Sequence, residues 1–420
     1  MSHLLDEIVR AQKAGEVRGI PSICSAHPAV LTCALRHFRP VLIESTCNQV
    51  NQYGGYTSMT PRDFHRFVNS LAEETSFPRG ELILGGDHLG PSPWQDLPTE
   101  EAMSRAEELV RSYARAGFTK LHIDASMKLG GDDLHQLLPP ELSAQRTARL
   151  VRVAEEVAED ASSLRYVIGT EVPLPGGAHE HEEGVEVTRA EDVVATLQVT
   201  RLALEKLGCG SAWERVIALV VQPGVEYGSD FILEYDPGKA FSLAKASEAT
   251  QQVFEAHSTD YQSPSSLGEL VRDHFAILKV GPALSFAYRE AIFALAMMED
   301  EYFSSEDCSH LIRVIDEVML KKPVHWMKHY KGGEEEQAFQ RKYSLSDRIR
   351  YYWIEPKVIH AVEKLERNWE SRKIPFTLVS QFMPEYMDSI RINQNSNGVR
   401  AMIDRKIKTI IENYYSACKV

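Results

Sequence analysis

The chain has 420 residues, 43% of them hydrophobic and 25% charged, with a formal net charge of −14. This is the composition of an ordinary soluble globular protein, and its acidity argues against a non-specific nucleic-acid surface. We find no apolar run near the roughly 20 residues of a membrane span, no signal peptide at the N-terminus and no CxxC pair among the cysteines. We therefore expect a reduced, cytoplasmic protein that binds neither nucleic acid nor membrane.

An amphipathic helix up to Ala14 precedes a strand–helix pattern that repeats eight times. The predicted strands are short apolar runs at 19–24, 41–43, 82–84, 120–123, 165–168, 216–221, from 253 onward, and 275–280. Continuous apolar strands are typical of a parallel sheet buried on both faces, and alternation with helices predicts an α/β fold. Eight such units favour a (β/α)8 TIM barrel over a doubly wound sheet.

Beyond residue 300 the sequence has no strand-like run and becomes helical and charged. We therefore predict two parts: a (β/α)8 barrel with an N-terminal helix at 1–300, and a helical C-terminal extension at 301–420.

The third predicted strand ends in Gly85-Gly86-Asp87-His88. The glycines leave room for a close approach to the backbone. Neighbouring residues on a strand point to opposite faces, so Asp87 and His88 can serve one site only where the strand breaks. An ordinary Asx turn at a strand end is the alternative interpretation.

Acidic, imidazole and amide side chains follow most of the predicted strands. In a barrel, the residues just past the strand C-termini line the active-site face. They are His27, Glu44, Asp87, His88, Asp124, Glu171, Gln222, Glu226, His257 and Asp260, with Lys279 near its strand end. Such groups can hold a divalent cation and move protons. The pattern predicts a metal or acid–base site.

Several members of this set have a second interpretation. Glu44 could cap the polar loop that follows it, and Asp124 could cap a helix or orient a histidine. Lys279 could point into the barrel or reach a substrate phosphate.

Eight strings, at 23–28, 44–56, 85–91, 168–173, 221–226, 255–262, 275–283 and 343–353, closely resemble the GatZ/KbaZ family. The resemblance covers essentially the whole chain. It implies the Z-type subunit of D-tagatose-1,6-bisphosphate aldolase, described as non-catalytic, which supports the activity and stability of a separate class II aldolase subunit in tagatose, galactitol and N-acetylgalactosamine catabolism. An older designation for such proteins is tagatose-6-phosphate kinase. We do not expect a kinase, because the chain has no Gly-x-x-x-x-Gly-Lys-Ser/Thr loop.

A more distant similarity to class II aldolases implies individual roles. Asp87 matches the proton carrier, His88 and His257 match metal ligands, and Glu171 matches a nearby catalytic carboxylate. The aldolases have a third ligand histidine after strand six, where this chain has Gln222-Pro-Gly-Val-Glu226. Either Glu226 or Gln222 would complete a histidine–carboxylate site, or the zinc site is degraded in this chain. The expected cofactor is a divalent metal, with zinc as the expected ion. The residues expected to contact substrate are Glu44, Asn48, Asp124, Ser258 and Lys279.

Two functions follow from the resemblance. The first is the accessory subunit, which binds a catalytic class II tagatose-bisphosphate aldolase subunit. The alternative is a metal-dependent 4-epimerase that interconverts tagatose 6-phosphate and fructose 6-phosphate by breaking and re-forming the C3–C4 bond. Either function involves a small phosphorylated ketose, and either is compatible with a homo-oligomer.

Overall fold

The computed structural model describes residues 3–133, 138–169, 185–392 and 398–420. Eight parallel strands close into a barrel in the order β1-β10-β9-β6-β5-β4-β3-β2, and β7 and β8 lie outside it. The strands are β1 Ile20–Cys24, β2 Val41–Thr46, β3 Leu82–Leu89, β4 Lys120–Ile123, β5 Arg165–Ile168, β6 Val216–Val220, β7 Glu226–Tyr227, β8 Ile232–Leu233, β9 Val253–Ala256 and β10 Phe275–Val280. Each predicted strand coincides with a barrel strand, which confirms the (β/α)8 fold.

Helices follow the barrel strands and make up most of the chain beyond β10. They are α1 Leu4–Lys13, α2 Pro28–His37, α3 Pro61–Glu74, α4 Thr99–Arg115, α5 Pro140–Val157, α6 Ala190–Lys206, α7 Pro237–Glu248, α8 Pro264–Arg272, α9 Pro282–Tyr302, α10 Leu311–Lys321, α11 Glu334–Tyr343, α12 Pro356–Glu370, α13 Phe376–Phe382, α14 Met387–Ile392 and α15 Val399–Cys418. None of the helices in the described ranges is long and apolar enough to cross a membrane.

The start of α3 shows how local sequence fixes these elements. Thr60 accepts a hydrogen bond from the Asp63 amide and the Asp63 carboxylate accepts one from the Thr60 amide, which forms a capping box. Pro61 occupies the first helical position, where its missing N–H costs nothing.

Helix α1 closes the barrel at the N-terminal ends of the strands. Its Leu5 and Ile8 are buried against a cluster that includes Ile20, Val167 and Ile217. The carboxylate of Asp6 on the same helix pairs with Arg165 of β5 at 2.6 Å. The apolar face of α1 therefore fills one end of the barrel, and the opposite end is left for polar side chains.

The chain divides into two compact units. The barrel unit comprises Met1–Glu226, Ile232–Gly281 and Asn413–Val420, and the helical unit comprises Tyr227–Phe231 and Pro282–Glu412. Beyond residue 300, the described residues contain helices and turns and no strand. The division into domains at residue 300 stays a prediction.

Candidate active site

Strand β3 is longer than predicted and becomes irregular near its end. It runs to Leu89, with a register shift against β4 between Gly86 and Leu89. His88 has a φ of +49°, in the left-handed region. This irregularity interrupts the alternation of side chains. Asp87 and His88, each 3% exposed, consequently both reach one buried cluster.

Three imidazoles meet at the C-terminal end of the barrel. The ring centroids of His88 and His122 are 5.0 Å apart, those of His88 and His257 are 4.9 Å apart, and those of His122 and His257 are 5.1 Å apart. One potential ligand atom from each of these rings and one from Asp87 all lie within 4.8 Å of one another. This buried histidine and aspartate cluster could bind a metal ion.

Carboxylates hold two of the rings by one nitrogen each. His88 Nδ1 lies 2.9 Å from Asp124 Oδ2, and His257 Nε2 lies 3.0 Å from Glu255 Oε1. Each contact leaves the second ring nitrogen available. Metal-binding histidines show the same arrangement, in which a carboxylate fixes the tautomer and orientation of the ring.

The third ring, His122, is fully buried. Its Nδ1 lies 2.8 Å from Asp87 Oδ1 and 3.1 Å from the backbone amide of His88. Its Nε2 is buried and has no hydrogen-bond partner within the described ranges. Leaving a buried polar nitrogen unpaired is unfavourable, and a bound cation would satisfy it. Three nitrogens and a carboxylate form a donor set that suits zinc and related divalent ions.

A buried ion-pair network lies against this cluster. Lys279 Nζ is 2.6 Å from Asp87 Oδ1, 2.8 Å from Glu44 Oε2 and 3.3 Å from Glu255 Oε1. Lys120 Nζ is 2.6 Å from Glu44 Oε1 and 2.5 Å from Glu255 Oε2. Two ammonium groups thus face three carboxylates. A cation at the cluster would offset the remaining negative charge, which buried groups cannot share with water.

The environment sets the charge states of these groups. Burial opposes ionisation of Asp87, but the neighbouring His88 and Lys279 outweigh it and hold the pKa of its carboxyl well below the usual value. Burial likewise opposes the charged form of Lys279, but Asp87, Glu255 and Glu44 raise its pKa well above normal. Burial lowers the pKa of His257 to about 3, which favours the neutral imidazole that a metal requires.

Gly85 makes room for part of this network. A Cβ at Gly85 would lie 2.7 Å from Cγ of Glu44, closer than side chains pack. The glycine next to the predicted strand end therefore allows a close approach, as its position in the sequence indicated, and the approaching group is the Glu44 side chain.

The other predicted site residues lie in different places. Glu171 falls outside the described residues. Glu226 is buried in β7 but is not one of the four residues that share the cluster. Asn48 is exposed in the loop after β2, and Ser258, with a φ of +53°, follows His257 directly. Their roles stay predictions, as do the substrate contacts of Glu44, Asp124 and Lys279.

Three residues of the site lay unrecognised within predicted strands: Lys120, His122 and Glu255. Lys120 and His122 are two apart on β4, as Glu255 and His257 are around the end of β9. Their spacing could have identified them. Alternate residues of a barrel strand point inward, so charged or imidazole side chains two residues apart in an apolar strand indicate a polar site inside the barrel.

The fold and cluster define a (β/α)8 barrel with a buried histidine–carboxylate centre. The sequence model of the family described as D-tagatose-1,6-bisphosphate aldolase subunit GatZ/KbaZ-like matches residues 5–419. The chain belongs to this family.

Three of the solved structures that are similar to this chain differ in sequence identity, TM-score and the share of each chain that is covered. A protein from Sinorhizobium meliloti 1021, described as a probable tagatose 6 phosphate kinase, is 45% identical with a TM-score of 0.87, over 96% of this chain and 100% of that chain. The fructuronate-tagaturonate epimerase UxaE from Cohnella laeviribosi is 12% identical with a TM-score of 0.47, over 96% and 81%. The YdjI aldolase from Escherichia coli K12 is 14% identical with a TM-score of 0.43, over 86% and 93%.

Proposed function

We propose that this chain is a subunit of a D-tagatose-1,6-bisphosphate aldolase system and that its own barrel performs metal-dependent carbon–carbon bond chemistry on a phosphorylated ketose. The observation that carries the proposal is the convergence of His88, His122 and His257 with Asp87, whose potential ligand atoms all lie within 4.8 Å of one another. The Nε2 of His122 is buried and has no hydrogen-bond partner among the described residues. Family membership supports the aldolase system, and a catalytic class II aldolase subunit would be the partner.

The three histidines would hold the metal, with zinc as the expected ion. When bound, such an ion acts as a Lewis acid on a carbonyl oxygen. His122 would be the third ligand, a role that the sequence predicts for Glu226 or Gln222. Asp124 and Glu255 position His88 and His257 through their ring nitrogens.

Asp87 would carry the proton. Its Oδ1 receives the contacts from His122 and Lys279, whereas Oδ2 lies 3.8 Å from His88 Nε2. Oδ2 would accept the proton of the C4 hydroxyl as the C3–C4 bond breaks. C4 then becomes the aldehyde carbon of the C4–C6 fragment, and the bonding electron pair stays on the C1–C3 fragment as its enolate. The low pKa of this carboxyl keeps it deprotonated at neutral pH, which is the form that can take a proton, and makes it return that proton readily.

The same bond-breaking step supports a second candidate function, the 4-epimerase. If the aldehyde turns over before the bond re-forms and Asp87 returns the proton to O4, the configuration at C4 is inverted. Tagatose 6-phosphate then becomes fructose 6-phosphate with no net loss of atoms. Asp87, as a potential proton carrier, lies beside three potential metal ligands. This arrangement favours catalytic activity of the chain alone, since a purely structural subunit needs neither a proton carrier nor metal ligands.

The test uses the purified full chain with and without the aldolase subunit. We would measure bound metal by elemental analysis. We would then follow triose phosphate release from tagatose 1,6-bisphosphate and fructose 6-phosphate formation from tagatose 6-phosphate, before and after EDTA. We expect stoichiometric metal and a metal-dependent activity in at least one assay.

The matched variants are His122→Ala and His360→Ala, the latter at an exposed position on α12. We expect metal and activity to be lost only in His122→Ala. Full metal content and activity in His122→Ala would refute the site. If this chain, freed of metal by EDTA, still stimulated the aldolase subunit and had no activity of its own, it would be an accessory subunit only.

A further inference from the structure

The helical unit contains a buried arginine whose charge has no acidic partner among the residues that the structure describes. Four arginines of the described residues are buried: Arg146, Arg289, Arg341 and Arg348. Arg146 pairs with Asp132 at 2.6 Å, and Arg341 pairs with Asp316 at 2.7 Å. Burying a guanidinium normally requires such a partner, because the charge loses its hydration.

The third buried arginine, Arg289, packs against an aromatic ring. Its guanidinium lies 3.9 Å from the ring centroid of Phe286, and it favours the ionised form of the neighbouring Asp347. It therefore has both an aromatic face and an acidic group nearby, although its Nε is also buried with no hydrogen-bond partner in the described part of the chain. Arg348 likewise has an aromatic neighbour, with its guanidinium 5.9 Å from the Tyr351 ring centroid, but no acidic one at ion-pair distance among those residues.

Arg348 is 5% exposed and has no carboxylate within ion-pair distance in the described part of the chain. Its Nη1 reaches only the carbonyl oxygen of His325, at 3.4 Å, and its Nε is buried with no hydrogen-bond partner among those residues. Two nearby acids have other partners: Asp347 accepts a hydrogen bond from Ser285 at 2.5 Å, and Glu355 pairs with Lys322 at 2.7 Å.

A second guanidinium lies close to Arg348. Arg350 Nη1 donates to two backbone carbonyl oxygens, and its Nη2 donates to the Tyr351 hydroxyl at 3.0 Å. The Tyr351 ring stacks on His325 with 4.6 Å between centroids. Burial lowers the pKa of Arg348, and the positive charge of Arg350 lowers it further. Arg350, Tyr351 and His325 are half-buried and so are partly accessible to solvent, whereas Arg348 beside them is buried.

We propose that Arg348, Arg350 and Tyr351 form a binding site for the phosphate group of a small molecule. Two guanidinium groups offset the charge of a phosphate dianion, and the planar fork of arginine matches two phosphate oxygens at once. The Arg348 Nε supplies a donor that the described chain leaves unused. This site lies wholly within the helical unit and uses none of the residues of the metal cluster.

The test is the thermal stability of the full chain with inorganic phosphate, at constant ionic strength set with chloride. A ligand that binds only the folded state raises the unfolding temperature in a concentration-dependent way. We expect such a rise for the wild type, and its loss in Arg348→Met. Without phosphate, Arg348→Met should unfold at the same or a higher temperature, because an unpaired buried charge has been replaced by an apolar chain of similar length.

Arg341→Met is the matched control, since it removes an equally buried arginine that has a partner. It should unfold at a lower temperature and keep its phosphate response. Arg350→Met, at a half-buried position, should weaken phosphate binding about tenfold, the loss of roughly one charge-assisted hydrogen bond. An unchanged phosphate response in Arg348→Met would overturn the proposal. So would a loss of stability without phosphate as large as that of Arg341→Met, because the charge would then have a partner in the chain.

A parallel titration with fructose 6-phosphate identifies the source of the phosphate. Tighter binding than inorganic phosphate, lost in Arg348→Met, would assign the site to a sugar phosphate; equal binding would assign it to free phosphate. A wild-type response to neither compound would refute the site. His122→Ala should keep the response to inorganic phosphate. The phosphate site can therefore be refuted without refuting the metal site, and the metal site without refuting the phosphate site.

Discussion

The two ends of the barrel interior are built from the same eight strands and differ completely in chemistry. At the N-terminal end, Leu5 and Ile8 pack on Ile20, Val167 and Ile217 in a purely apolar cluster. Burying such side chains contributes about 1.5–3 kcal/mol each. These apolar side chains stabilise the fold, and none of them needs a hydrogen-bond or ion-pair partner.

At the C-terminal end, the interior holds Lys120, Glu44 and Glu255 with no exposed surface at all. Desolvating such ions is unfavourable by several kcal/mol each and is offset only if every charge keeps its partners. A barrel needs no charged layer to fold, as its other end demonstrates. The difference indicates that the polar end is retained for chemistry and the apolar end for stability.

The strongest test of this comparison is Asp87→Asn. The amide keeps the shape of the carboxylate but cannot accept the substrate proton, so we expect the rate to fall about 10²–10⁴-fold. Lys279 loses one of its three carboxylate contacts but keeps Glu44 and Glu255, so the loss of stability should be smaller than that of Lys120→Met, and the variant should remain folded. Activity would be measured in the two assays above, with metal content as the control. Wild-type rates would remove Asp87 from the role of proton carrier.

Lys120→Met should produce the largest change in stability. It leaves Glu44 and Glu255 with Lys279 as their remaining cation, and breaking a buried pair costs about 3–5 kcal/mol. Urea unfolding would measure the loss. The exposed Lys245, which pairs with Glu248 at 2.8 Å, is the control, and Lys245→Met should cost less than about 1 kcal/mol. Equal losses of unfolding free energy in the two variants would show that the buried ion pairs of Lys120 stabilise the fold no more than an exposed pair does.

Leu5→Ala probes the apolar end. Removing a fully buried leucine should destabilise the barrel by about 2–5 kcal/mol, through lost transfer free energy and the cavity left behind. Metal content should remain that of the wild type, because the cluster lies at the other end. Leu202→Ala, on the exposed face of α6, should stay within about 0.5 kcal/mol. Loss of metal in folded Leu5→Ala would mean that the two ends are not independent.

Asp124→Asn tests how the polar end positions one of its histidines. The amide can still contact His88 but no longer favours its N–H tautomer as a carboxylate does, so we expect metal affinity to fall about 10–100-fold. Burial would raise the pKa of this carboxyl, but His88 outweighs it and holds the value at about 2, so the wild-type group is ionised at neutral pH. Competition with a metal-binding dye would give the affinity. Asp160→Asn, on the surface, should leave it unchanged.

The strand–helix pattern determined the fold because each barrel strand is a continuous apolar run with polar residues or glycine at its end. Thr60 with Pro61 likewise defined the start of α3. The adjacent Asp87 and His88, after two glycines, identified the strand that carries the site. These are local signals, and each depends on residues within one element.

The composition of the cluster depended on contacts that no single element contains. Lys279 and Glu44 are 235 residues apart and meet only because closure of the sheet places β10 beside β1 and β1 beside β2. His122 joined the site because β4 lies next to β3, and the positive φ of His88 turns its ring toward the same interior. The sequence by itself determined which strands form and where they end. Only the tertiary structure decided which inward-facing side chains share one buried site, because strand register and barrel closure bring together residues that the chain separates.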